Sequence, residues 1–120
     1  RGNTPLLAAA RTNNNTCAEL LIERGADINK TNNDGWTPLM VAAEYGCIEC
    51  AKLLLEATYN DIANKILVAM SQQDIIFDTA FIIFKKTVEN TITIDGFNID
   101  DTHTHKKLYN IFQAKFSKLK

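Results

Sequence analysis

The chain has 120 residues, of which 46% are hydrophobic and 22% charged, a mix typical of one globular domain and not of a disordered chain. A membrane-spanning helix is excluded, because Asp78 interrupts the longest apolar stretch, Ile75 to Phe84. The net charge of −1 gives no general attraction to nucleic acid, and three cysteines do not suit a secreted disulfide framework, so reduced thiols are expected.

Two segments in the first half of the chain repeat each other at an offset of 33 residues. Gly2-Asn3-Thr4-Pro5-Leu6 returns as Gly35-Trp36-Thr37-Pro38-Leu39. Because several separate motifs recur at this one spacing, the match indicates two copies of one structural unit. The other pairs are Ala9-Ala10 with Ala42-Ala43, Cys17-Ala18 with Cys50-Ala51, and Leu20-Leu21 with Leu53-Leu54.

Each repeated motif predicts a local structure. Pro5 and Pro38 follow a threonine, which predicts two helices with proline in the first turn and a threonine N-cap. Gly25 and Gly46 fit helix ends, and Asp34-Gly35 fits a tight turn. The paired alanines allow close helix approach, while the Leu-Leu pairs supply an apolar face that one repeat cannot bury alone.

A 33-residue period that preserves Thr-Pro-Leu, Ala-Ala and Leu-Leu strongly resembles the ankyrin repeat, and the resemblance covers residues 1–56. Gly25-Ala26-Asp27-Ile28-Asn29 resembles the segment that leads into an ankyrin β-finger. The resemblance implies an all-α ankyrin-repeat solenoid of stacked helix–turn–helix units with short β-finger turns and a helical C-terminal cap. Leu7 and Met40 stand where the family often has His, so packing is expected to replace that residue's hydrogen bonds. Because Arg1 falls inside a motif, we expect a piece of a longer protein.

Beyond residue 59 the period is lost, but two helices are still predicted. Asn60-Asp61 is expected to cap the first and Asp74 the second. We interpret this region, residues 60–90, as a degenerate helical repeat without a finger. Residues 91–101 alternate apolar residues around Asp95-Gly96, which predicts a turn or hairpin. The apolar positions are Ile62, Ile66, Leu67 and Met70 in the first helix, and Ile76, Phe77, Ala80, Phe81, Phe84 and Val88 in the second.

Residues 102–120 are predicted to form an amphipathic basic helix that starts at Asp101 or Thr102 and caps the stack. They carry five lysines and no acid, for a charge of +5, whereas the first 101 residues carry −6. The predicted apolar positions are Leu108, Ile111, Phe112, Phe116 and Leu119. The expected organisation is one ankyrin-type domain, residues 1–120, with repeat 1 at 1–33 (truncated), repeat 2 at 34–59, and then the degenerate repeat, the turn and the cap.

The sequence predicts no catalysis, no cofactor and no metal. Cys47 and Cys50, with His103 and His105, have the residue types of a zinc site. However, Cys50 aligns with Cys17 at a core position of the repeat, so core filling is the favoured interpretation. No phosphate-binding glycine loop and no nucleophile turn appears in the sequence.

The ankyrin resemblance implies a concave recognition wall, made by finger tips and inner helix faces, that binds another protein. Trp36 and Tyr45 are the favoured anchors, because Trp, Tyr and Arg most often dominate binding energy. Packing of Trp36 within the repeats is the alternative. The candidate contacts, carried over residue by residue, are Asn3, Arg11, Thr12, Thr31, Asn33, Asp34, Trp36, Glu44 and Tyr45.

The expected function is therefore non-catalytic protein–protein interaction by a monomer in the cytoplasm, or in the host cytosol for a secreted effector, and not nucleic-acid or membrane binding. Two alternatives stay open. In the first alternative, the chain is an accessory recognition arm of a larger enzyme or secreted bacterial effector. In the second, its basic C-terminal helix binds an anionic membrane or nucleic-acid surface. Asn29 lies in a segment that resembles the substrates of asparaginyl hydroxylases, although it also suits a hydrogen bond within its own turn.

Overall fold

The structure, a computed structural model, describes residues 2–70, 76–92 and 101–118. These residues form six α-helices and no β-strand, which confirms the all-α prediction. The chain divides into two compact units, Arg1–Ala57 and Thr58–Lys120. Within the described ranges, no helix is both long enough and apolar enough to cross a membrane. The helices are α1 Pro5–Arg11, α2 Asn15–Glu23, α3 Pro38–Glu44, α4 Ile48–Met70, α5 Phe77–Thr91 and α6 Thr102–Ser117.

Helices α1 and α3 begin in the same way. Thr4 and Thr37 have extended backbones, and a proline follows each of them as the first helical residue. Their hydroxyl oxygens accept hydrogen bonds from the amides of Leu7 and Met40, both at 3.2 Å. Each bond satisfies an amide that has no partner within its own helix. The predicted threonine caps are confirmed.

The two helices also end alike. Asn13 after α1 and Gly46 after α3 adopt left-handed backbones, with φ of 56° and 67°. The amide of the following residue then donates to the carbonyl of Ala9 at 3.0 Å or of Ala42 at 2.9 Å. Asn tolerates this conformation better than most side chains, so the two repeats keep one turn with different residues.

Small side chains bring α1 close to its neighbours in the Arg1–Ala57 unit. Helix α1 packs against both α2 and α3. Ala10, Ala18 and Ala42 have no exposed surface. The prediction that Ala43 and Leu20 pack between helices is wrong, since Ala43 is exposed and Leu20 is 42% exposed. Each helical position is rotated by about 100° from the one before it, so Ala43 points about 100° away from Ala42 and Leu20 about 200° away from Ala18.

Two thiols connect the start of α4 to the first repeat. The Sγ of Cys50 is completely buried and lies 3.7 Å from the carbonyl oxygen of Ala9 and 3.2 Å from Asn15 Oδ1. The Sγ of Cys47 lies 3.7 Å from the carbonyl oxygen of Arg11. The pKa of the Cys50 thiol is raised, mainly because the thiol is buried and to a smaller extent because Cys47 lies nearby. The Cys50 thiol therefore stays protonated and can donate a hydrogen bond. Both cysteines therefore fill the contact between repeats.

Helix α4 continues from Ile48 to Met70, so the prediction of a new helix capped by Asn60-Asp61 is wrong. The boundary between the two compact units falls inside α4. No glycine or proline interrupts this segment, and Lys65 pairs with Asp61 at 3.1 Å, one helical turn apart. Continuing the helix keeps backbone hydrogen bonds that a cap at Asn60 could only partly replace.

Helices α5 and α6 pack against each other within the Thr58–Lys120 unit. The rings of Phe84 and Phe112 stack with centroids 4.8 Å apart, and neither ring is exposed. The ring of Phe77 contacts that of Phe81 at 5.8 Å and that of Phe116 at 5.4 Å. The predicted apolar face of α5 is confirmed for Ala80, Phe81, Phe84 and Val88.

The ends of these helices agree only in part with the predictions. Asp101 caps α6, because its Oδ2 accepts hydrogen bonds from the amides of His103 at 3.1 Å and Thr104 at 3.3 Å. Ile76 is 67% exposed, since it precedes α5 and does not lie on its buried face. The predicted cap Asp74, most of the turn at 91–101, and Leu119 lie outside the described residues.

The continuity of α4 can be tested at Asp61. A proline at this position removes a backbone hydrogen bond and clashes with the preceding turn, so Asp61→Pro should lower the free energy of unfolding by about 3 kcal/mol. Asp61→Ala loses the same ion pair with Lys65 and should cost no more than about 0.5 kcal/mol. Urea unfolding followed by circular dichroism measures both. A proline variant as stable as the alanine variant would place a helix start here.

Candidate functional site

A groove of about 590 Å³ lies across α1 and α3 in the Arg1–Ala57 unit. We call it the α1–α3 groove. Of the nine candidate contacts, Thr12, Thr31 and Glu44 do not line it, although all three are exposed. The structure brings the other six together around this groove, namely Asn3, Arg11, Asn33, Asp34, Trp36 and Tyr45.

Three further residues line the groove and are absent from the sequence-based candidates: Leu7, Asn32 and Val41. Leu7 and Val41 are buried and form an apolar floor. The spacing of residues in the sequence could have identified Leu7 and Val41 as groove residues. Leu7 lies four residues before Arg11, and Val41 four before Tyr45, which puts each pair on one helix face.

Asn32 holds the turn that carries Asp34 and Trp36. Its Oδ1 accepts hydrogen bonds from the amide of Asp34 at 2.9 Å and from that of Trp36 at 3.1 Å. The main chain closes the same turn, because the Gly35 amide donates to the Asn32 carbonyl at 3.0 Å. Gly35 has φ of 82°, so the predicted tight turn at Asp34-Gly35 is confirmed. Asparagine two residues before the turn is the sequence signal that points to Asn32.

The segment that precedes α1 meets this turn at Gly2. Gly2 has φ of 75°, and a Cβ atom at this position would lie only 2.6 Å from Asn33 Oδ1. Glycine therefore permits an approach that another residue would obstruct. Nearby, Asn32 Nδ2 lies 3.5 Å from Asn3 Oδ1. The polar end of the groove is thus assembled from the segment before α1 and the turn at residues 31–36.

Arg11 and Tyr45 form the other end of the groove. The guanidinium carbon of Arg11 lies 5.5 Å from the centroid of the Tyr45 ring, a cation–π geometry. Tyr45 remains 54% exposed. Within the described part of the chain, no carboxylate forms an ion pair with Arg11, and no cation pairs with Asp34. The groove therefore offers one positive and one negative side chain to a ligand.

The side chains that line the groove can make ionic contacts, hydrogen bonds and apolar contacts. Its lining provides amide groups, a guanidinium, a carboxylate and two aromatic rings over an apolar floor. The thiols of the alternative zinc site, Cys47 and Cys50, lie against carbonyl oxygens of the first repeat. The described ranges contain no group of three or more His, Cys, Asp or Glu placed to hold a metal ion.

Comparison with known families agrees with the repeat analysis. The sequence model of the family described as ankyrin repeats (3 copies) matches residues 1–66. This range contains the whole α1–α3 groove and most of α4. Neither the curated proteins nor the solved structures include a significant match to the chain.

The role of Asn32 gives a prediction. Asn32→Ala removes two hydrogen bonds from the turn and should lower the free energy of unfolding by about 1–2 kcal/mol. It should also shift the fluorescence of Trp36, the only tryptophan, to longer wavelength as the ring becomes more solvated. Asn33→Ala is the matched control, because the neighbouring Asn33 side chain donates and accepts no hydrogen bond among the described residues. Equal effects of both variants would contradict the role of Asn32.

Proposed function

Because the chain belongs to the ankyrin-repeat family, we propose that it is a non-catalytic recognition module whose α1–α3 groove binds another protein. Ankyrin repeats generally act as protein–protein interaction modules and are typically not catalytic. The observation that carries the proposal is that Arg11, Trp36 and Tyr45 line one groove.

The composition of the groove supports this function energetically. Trp, Tyr and Arg dominate protein interfaces, and truncating such a residue at a binding hot spot costs about 2 kcal/mol or more. Trp36 is half-buried and lines the groove, so packing within the repeat does not remove it from the accessible surface. The groove combines polar amides at one end with apolar and aromatic side chains, a mixture that protein interfaces also contain.

The proposal includes the wider setting of the module. Residues 1–120 form one ankyrin-type domain in this proposal, and the domain acts as a monomer. We place it in the cytoplasm, or in the host cytosol for a secreted effector. The three cysteines are free thiols, which supports a reducing compartment. If the chain is the accessory arm of a larger enzyme or effector, it binds its partner through the same α1–α3 groove.

A second candidate function rests on α6. This helix carries Lys106, Lys107 and Lys115 and contains no acidic residue. Such a helix attracts anionic lipid or nucleic acid through exposed charge. Binding of that kind weakens steeply with salt, because screening acts on exposed charges. Binding led by Trp36 and Tyr45 should depend far less on salt, which separates the two functions.

Affinity capture from a cell lysate tests the proposed function. The native chain is compared with Trp36→Ala/Tyr45→Ala, and recovery of a groove-dependent partner should fall at least about tenfold, since each truncation costs about 2 kcal/mol at a hot spot. The matched control is Leu20→Ala/Ile48→Ala, which removes two exposed apolar side chains outside the groove.

Circular dichroism verifies that both variants are folded before capture. The control variant should retain the partner at the native level. If all partners persist in the groove variant at equal yield, the α1–α3 groove is not the binding site.

A further inference from the structure

Resting on the proposed function, we infer that the α1–α3 groove selects an extended partner segment with an acidic and a basic side chain three residues apart. The acidic side chain binds at Arg11 and the basic one at Asp34. An apolar side chain between them packs against Trp36, which lines the groove together with Leu7 and Val41. The observation behind this inference is a pair of opposite charges, one at each end of the groove, for which the described ranges provide no ionic partner.

At the Arg11 end, the geometry favours a carboxylate. The Tyr45 ring holds the guanidinium at 5.5 Å from its centroid and limits the orientations of the long side chain. A guanidinium held in this way loses less freedom when it binds, and its donors match both oxygens of a carboxylate. Glu44 is the carboxylate next to Tyr45 in sequence, but it neither lines the groove nor pairs with Arg11.

At the other end, Asp34 favours a cation. Its backbone is fixed by the hydrogen bond from its amide to Asn32 Oδ1 at 2.9 Å. Its carboxylate is exposed and accepts no hydrogen bond from the described part of the chain. A lysine or arginine of a partner would find here a carboxylate that no side chain among residues 2–70, 76–92 and 101–118 neutralises.

The spacing follows from the length of α1. Arg11 is the last residue of α1, and the turn that carries Asp34 lies beside Gly2, just before the helix begins. Helix α1 is seven residues long and spans about 10 Å at about 1.5 Å each, which sets the scale of the separation between the two ends. An extended segment in the polyproline II conformation advances about 3.1 Å per residue with three residues per turn. Side chains three residues apart therefore point the same way at nearly this separation.

The apolar part of the groove sets the third requirement for the partner segment, an apolar side chain between the two charged ones. Leu7 and Val41 are 1% and 6% exposed, and Trp36 flanks them in the same groove. Because the floor itself is nearly buried, an apolar side chain between the two charged ones would pack against the accessible part of Trp36 and remove water from both ionic contacts. Charge pairs strengthen when water is excluded, so the three contacts support one another.

A selection of random heptapeptides displayed on phage, against the immobilised full chain, tests this inference. Peptides with acidic and basic residues three positions apart, in either order, and an apolar residue between them should be enriched about tenfold over the unselected library, the factor expected for a charge-assisted hydrogen bond. Arg11→Glu should abolish the acidic preference, and Asp34→Lys should abolish the basic one. Arg11→Gln, which keeps part of the side chain without its charge, should also lose the acidic preference.

The matched controls are Arg24→Glu and Glu23→Lys, which reverse exposed charges outside the groove and should select the same peptides as the native chain. Enriched peptides that lack the charge pair, no enrichment at all, or preferences unchanged in Arg11→Glu would overturn the inference. If lysate capture still depends on Trp36 and Tyr45, the inference fails alone. If neither capture nor selection depends on the groove, the proposed function fails as well.

Discussion

The close approach of α1 and α3 is the contact on which the rest of the repeat structure depends. Ala10 and Ala42 have no exposed surface, so the backbones of the two repeats come near without a large side chain between them. The buried thiol of Cys50 completes the contact by lying against Ala9 and Asn15. A larger residue at these positions would separate the repeats and, with them, the two sides of the α1–α3 groove.

The groove is a consequence of this packing and of two turns. The packing of α1 on α3 brings Arg11 close to Tyr45. Asn32 and Gly2 position the turn at residues 31–36 (the 31–36 turn) beside the start of the first repeat. The residues that set the geometry are thus small or buried, whereas those that face a ligand are exposed and chemically varied. This division allows one repeat scaffold to present different surfaces, which is why the fold alone does not name the partner.

The predictions from sequence succeeded where one short motif determines one local structure. Threonine caps, left-handed turns and the Asp34-Gly35 turn depend on neighbouring residues, and all are confirmed. The prediction failed at Asn60, because a residue that can cap a helix can also sit inside one, and no glycine or proline ends α4 before it. Asn32 and the apolar floor were missed although each has a local signal in the sequence, since the role of Asn32 lies in bonds to amides only two and four residues on. What the sequence does not show is that these residues line the same groove as the predicted contacts.

Hydrogen exchange of the backbone amides, measured on the chain alone and with its captured partner bound, tests the central claim most directly. Binding in the α1–α3 groove predicts slower exchange in the 31–36 turn and around Arg11 and Tyr45, while α6 exchanges as in the free chain. Slower exchange confined to α6, with the 31–36 turn unchanged, would contradict the account and point to the basic helix as the binding element.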